Sequence, residues 1–126
     1  MKIRHDRRYS KDHEWVMLSS TIARIGLTDY AQDALGDVVF VQLPRIGDRF
    51  ESGEYCGEIE SSKSVSDLHC PISGIITNTN LLLTENPGSL NSDPYGDGWL
   101  FELLVESDEA LGELLDFDQY QRLIEG

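Results

Sequence analysis

The chain has three lysines, at 2, 11 and 63, and Lys63 is the only one beyond the N-terminal segment. It stands in Gly57-Glu58-Ile59-Glu60-Ser61-Ser62-Lys63-Ser64-Val65-Ser66-Asp67-Leu68, where two alternating segments meet at a polar tip. That pattern predicts a β-hairpin whose turn carries one amine. An amine so placed can remain a solvated charge, or it can be acylated by a modifying enzyme and carry a cofactor; spacing alone leaves both open. Glu58 and Glu60 precede it and Asp67 follows. Alternation puts the two glutamates on one face of their arm, as a solvated acidic surface or as a defined edge for a docking enzyme.

Other chemistries find little support. His69 and Cys70 are neighbours on an expected strand, so their side chains point to opposite faces and make no nucleophile–base pair. His5, His13 and His69 lack ligand spacing, and there is no CxxC. The glycines match neither a P-loop nor a dinucleotide fingerprint, which leaves an autonomous enzyme with a weak case. Cys56 and Cys70 each lie seven residues from Lys63, so the hairpin should bring them nearly opposite each other. A reducing compartment would keep them as packed free thiols, with a disulfide as the alternative.

The elements that must position the tip are short. Residues 14–18 and 21–26 predict two strands around Ser19-Ser20. Thr28 should cap a helix over Asp29 to Leu35, stopped by Gly36. Residues 37–43 are β-branched and aromatic and predict a central strand ended by Pro44. A turn at 45–48 leads into Phe50, and further strands are expected over 74–80 and 98–105. Residues 84–97 predict a loop with room for a helical turn. In the tail, Ala110, Leu111, Leu114 and Leu115 follow helical spacing, and a second helix can start at Asp116 with Phe117, Tyr120 and Leu123 on one face. Many short strands with Gly and Pro punctuation predict a mainly β sandwich or barrel with short helices and a helical C-terminus.

The 126 residues suit one domain, able to bury roughly two thirds of its unfolded surface. Formal net charge is -13, but residues 1–11 carry +4 and the remainder -17. An acidic body with a short basic leader disfavours nucleic acid and anionic membranes and favours basic patches on partner proteins. Residues 1–8 are followed by no apolar stretch, which argues against a secretory signal. No apolar run approaches the ~20 residues of a membrane span. A soluble cytoplasmic protein is expected.

Five segments together resemble the H protein of the glycine cleavage system: YSKDHEWV (9–16), IGLTDYAQDALGDVVFVQLP (25–44), GEIESSKSVSDL (57–68), CPISG (70–74) and DPYGDGWLFEL (93–103). The resemblance runs along nearly the whole chain, and serines at 62 and 64 stand where biotin carriers usually have methionines. It implies a single lipoyl-carrier domain over 1–126 of the barrel-sandwich type, with 1–11 as leader and 106–126 as helical tail. Lipoate would be attached covalently to Lys63. In the family the arm takes an aminomethyl group from the pyridoxal-phosphate glycine decarboxylase and delivers it to the tetrahydrofolate-dependent aminomethyltransferase. The FAD-containing dihydrolipoyl dehydrogenase then reoxidises it. The protein is thus implied to be a non-enzymatic carrier, monomeric, with these enzymes and a lipoate-attaching enzyme as partners.

By the same resemblance Gly47, Glu60 and Asp67 match positions read by lipoate-attaching enzymes, and Glu14 and Asp67 match positions lining the cleft where the loaded arm rests. The sequence departs from the family at Ala34, commonly His, at Ser62 and Ser64, commonly Val and Ala, and at Asp12, often Ser. Ala34 lends weight to an alternative: an H-like protein used for lipoate relay or as a modification partner outside glycine cleavage. An unmodified structural module is the third reading.

Overall fold

The computed structural model describes residues 2–126, apart from the side chains at 108–110. The alternating segments form nine strands: β1 (Arg8–Tyr9), β2 (Glu14–Ser19), β3 (Ile22–Leu27), β4 (Val38–Gln42), β5 (Arg49–Phe50), β6 (Tyr55–Ser61), β7 (Val65–His69), β8 (Gly74–Thr79) and β9 (Phe101–Val105). They make two antiparallel sheets, one ordered β1-β2-β3-β9-β8-β5 and the other β4-β6-β7. One core joins them, with Val16, Ile25 and Leu103 from the first sheet meeting Val41, Ile59 and Leu68 from the second. The mainly β expectation holds.

Helix α1 (Asp29–Leu35) starts where Thr28 accepts from the Ala31 N–H and ends at Gly36, whose φ of 81° suits glycine. The C-terminal helix α4 (Phe117–Glu125) opens with a reciprocal capping box between Asp116 and Gln119; it is numbered after α2 (Leu82–Glu85) and α3 (Ser89–Ser92).

Three expectations are corrected. Residues 37–43 were expected to be central, but β4 is an edge strand, with a register shift between Val38 and Phe40 that turns Val39 and Phe40 outward. A β-branched run signals a pleated surface without saying which of its sides is covered. In residues 84–97 the helical turn allowed for is α3, and α2 overlaps the start of the stretch. The strand expected from residue 98 begins at Phe101, because the Asn80 side chain ties up the Asp97 and Trp99 carbonyls, each at 2.7 Å. Finally, Asp108–Glu113 is a 3-10 turn, not the α-helix suggested by 3.6 spacing. Leu115 just beyond it is claimed by β1, exchanging bonds of 2.8 and 2.7 Å with Tyr9. The Ala110 side chain lies outside the described residues.

The basic leader is part of the fold. Tyr9 is fully buried, stacked on Tyr120 of α4 with ring centroids 4.5 Å apart. The buried Arg7 lies 4.3 Å from the Trp15 ring centroid and donates to the Tyr95 carbonyl. Trp15 in turn covers Gly26 of the neighbouring strand, where a Cβ would come within 2.4 Å of the indole. Gly26→Ala is therefore expected to cost about 1–3 kcal/mol by overpacking. Denaturant titration should show a lower midpoint at unchanged slope.

Candidate functional site

Glu60 pairs with Val65 and Glu58 with Asp67, so Ser61-Ser62-Lys63-Ser64 closes the turn between β6 and β7. Ser61 organises it. Its backbone N–H donates to the Ser64 carbonyl at 2.8 Å. Its buried hydroxyl accepts from the Lys63 and Ser64 N–H groups and donates to the Ser64 carbonyl, each at 3.2 Å. The Ser62 N–H reaches the Asp37 carbonyl at 2.9 Å, tying the tip to the end of α1. Four polar residues thus form a fixed turn, because each short side chain or N–H finds a local partner.

Lys63 is exposed, and its stem runs beside Gly36, where a Cβ would lie 3.1 Å from Cε. Among the described residues no carboxylate is within ion-pair distance of its amine. The bracketing acids therefore do not neutralise it. They lie on the outer face of the small sheet, in cross-strand rows Phe40–Glu60–Val65 and Gln42–Glu58–Asp67. Phe40 and Val65 are 53% and 59% exposed, so this face mixes acid with apolar surface. The hairpin reading found the acids but missed Phe40, whose outward turn depends on the β4 register shift.

Beside the hairpin is a cleft of about 550 Å³, walled by β7, by α1 and by the loop entering β2. Glu14, Asp67 and Ala34 all line it, and so do His13 and Tyr30. Gly47 stands apart, in the turn between β4 and β5 with φ 96°, its N–H bound to Ile76 of the larger sheet. The structure thus brings Glu60 and Asp67 together in the hairpin and Glu14 and Asp67 together at the cleft, while Gly47 belongs to neither.

Glu14 is 3% exposed and accepts a 2.6 Å bond from the Ser10 hydroxyl. Burial pushes its carboxyl up to about 8; the Ser10 bond opposes this, Asp12 adds to it, and the His69 backbone opposes it. Glu14 is thus largely a neutral acid near pH 7.

His13, missed as a site residue by a search for metal spacing alone, also faces this cleft. Its backbone takes a left-handed φ of 68°, and its Nδ1 lies 2.8 Å from the hydroxyl of Tyr120, 107 positions along the chain. No local pattern encodes that contact. Cys56 and Cys70 are both buried free thiols near each other, as the hairpin spacing predicted, and the Cys70 thiol donates to the Ile72 carbonyl at 3.2 Å. The neighbouring Cys70 thiol and then burial push Cys56 up.

Two antiparallel sheets thus present one lysine on a hairpin turn fixed by Ser61. The family model for the glycine cleavage H-protein matches residues 7–126. A glycine cleavage system H protein of Beutenbergia cavernae is 48% identical over 126 residues, covering 100% of this chain and 99% of that one. One of Thermus thermophilus is 46% identical over 125 residues, covering 99% and 98%. The crystal structure of a glycine cleavage system H protein from Mycobacterium marinum aligns with a TM-score of 0.90 at 42% identity, over 98% of this chain and 100% of that one. The chain belongs to the glycine cleavage H-protein family.

Proposed function

We propose that this chain is the lipoylated carrier of a glycine cleavage system, with lipoate amide-linked to Lys63. The observation that carries the reading is the pairing of one unneutralised, exposed amine on a fixed turn with an adjacent cleft that holds a buried carboxyl. The residues present suit the group: the lysine stem lies along a glycine that leaves it room, and the cleft is large enough for a small-molecule arm. When bound, lipoate supplies a redox-active pair of sulfurs able to take up the aminomethyl group of glycine.

The chain's own residues do the rest. Ser61 fixes the root of the arm. Glu60 and Asp67, with Gly47 on its separate turn, form the surface read by the lipoate-attaching enzyme, where charge steers the encounter. Glu14, with Asp67 at the rim, receives the ammonium of the cargo and excludes water from it. Tethering converts successive visits to glycine decarboxylase, aminomethyltransferase and dihydrolipoyl dehydrogenase into encounters at high effective concentration. The protein itself acts as a non-enzymatic, monomeric, cytoplasmic carrier. No helix of the described residues is long and apolar enough to cross a membrane.

Ala34 on the cleft wall favours a second reading, lipoate relay without glycine cleavage. Labelled glycine separates the two. Lipoylated protein incubated with the decarboxylase and methylene-labelled glycine is expected to acquire label on the arm; a fully lipoylated protein that stays unlabelled would leave only the relay.

A further inference from the structure

A side-chain hydrogen-bond chain, Thr28–Tyr120–His13, reaches the cleft through His13. Thr28 is fully buried; its hydroxyl oxygen already accepts the Ala31 N–H at 3.2 Å and lies 2.7 Å from the Tyr120 hydroxyl. With Thr28 donating to it, the Tyr120 hydroxyl is placed to donate in turn to His13 Nδ1, 2.8 Å away. A neutral imidazole that accepts at Nδ1 carries its hydrogen at Nε2. Nε2 has no hydrogen-bond partner among the described residues, although His13 lines the cleft and its ring is held against Tyr30, centroids 4.6 Å apart.

Two further observations point the same way. His13 occupies the left-handed region without being glycine, a conformation held by its N–H to the Ser10 carbonyl at 3.1 Å and its carbonyl to the Thr28 N–H at 3.0 Å. Strain of this kind is typically retained where a side chain must be aimed. Burial also lowers the imidazole pKa, with the neighbouring Asp12 opposing. The ring is accordingly neutral at pH 7 and offers one N–H donor.

Cleft residues 13 and 14 therefore present a donor beside an acid able to become an acceptor. We infer that His13 is a binding residue for the arm: its Nε2–H meets a sulfur of the resting dithiol, next to the Glu14 carboxyl that meets the cargo's ammonium. Tyr120 and Thr28 act through it as positioning residues. This rests on the reading of Lys63 as the lipoyl site. It also gives the cleft, where Ala34 offers no polar side chain, a polar contact from the loop entering β2.

Nitrogen-15 spectra of histidine-labelled full-length protein test the assignment. Intact mass comes first: protein that gains no lipoyl mass from a ligase overturns the carrier reading itself. In the unmodified protein His13 is expected as the Nε2–H tautomer, and Tyr120→Phe, checked for folding by its amide spectrum, should shift it toward a mixture. Reducing the lipoylated protein with a phosphine, then condensing the free thiol with formaldehyde and ammonium with loss of one water, loads the arm without any partner enzyme. Both steps are expected to move the Nε2 resonance. Alkylation of the reduced arm should be roughly 3- to 10-fold faster in His13→Phe, as suits one lost hydrogen bond, and near wild type in His13→Gln, whose amide can restore a donor. An Nδ1–H tautomer, or an unmoved Nε2 signal in protein whose mass shows a loaded arm, would overturn the role of His13 and leave the carrier reading intact.

Discussion

Lys63→Ala is expected to fold like the parent protein and to gain no lipoyl mass when incubated with lipoate, ATP and a ligase. The side chain is exposed and makes no ion pair among the described residues, so truncation should change stability by no more than about 0.5 kcal/mol. The turn survives because Ser61 holds position 63 through its backbone N–H, which alanine retains. Lys63→Arg separates charge from chemistry: it keeps a cation at the tip yet offers no primary amine, and it too should remain unmodified. Lys2 and Lys11 serve as internal controls, since neither lies on the hairpin. Intact mass reads the outcome, and lipoylation persisting in the alanine variant would remove Lys63 from its assigned role.

Glu14→Gln is expected to abolish a pH dependence of stability. The folded carboxyl titrates near 8, raised from 4.5 chiefly by burial, so between those values the folded state holds a proton that the unfolded state has lost. Stability contributed by this group is therefore complete below about pH 4.5 and is lost as pH rises through 8. The full loss is on the order of 5 kcal/mol. Glutamine is nearly isosteric, has no proton to lose, and its carbonyl oxygen can still accept from Ser10. Denaturant titrations of both proteins at pH 5, 7 and 9 should show the variant increasingly more stable than wild type as pH rises; parallel curves would refute the neutral buried acid. The same neutrality links cargo to proton release. An ammonium settling beside Glu14 below pH 8 favours the carboxylate and expels a proton, whereas the glutamine variant, lacking a charge to offer, should lose cargo protection.

Much of this site is local and therefore legible in the sequence. The alternation on both sides of Ser61-Ser62-Lys63-Ser64 gives the hairpin, its register and the shared face of Glu58 and Glu60. Thr28 and Gly36 mark α1 to the residue, because capping depends on a single side chain and a single positive φ. What escaped depends on distant chain. The run at 38–42 reads as buried until the order of the small sheet shows it at an edge. The spacing at 110–115 reads as an α-helix, but the backbone of Leu115 is taken up by Tyr9, far away in sequence. His13 is a plain polar residue until Tyr120 arrives, and a search for metal spacing has no means of anticipating a phenol 107 positions away.

The pairing of Tyr9 with Leu115 and of His13 with Tyr120 has a consequence for the order in which a ribosome releases the molecule. The hairpin's strands and turn are complete once residue 69 has emerged, since their partners are neighbours in sequence. The cleft wall carrying His13 is finished only when residues 115–120 arrive, a late closure between distant segments of the kind that slows folding. A nascent chain can thus display Lys63 before the cleft wall beside it is complete, and under the proposed carrier role attachment and sheltering become separable events in time.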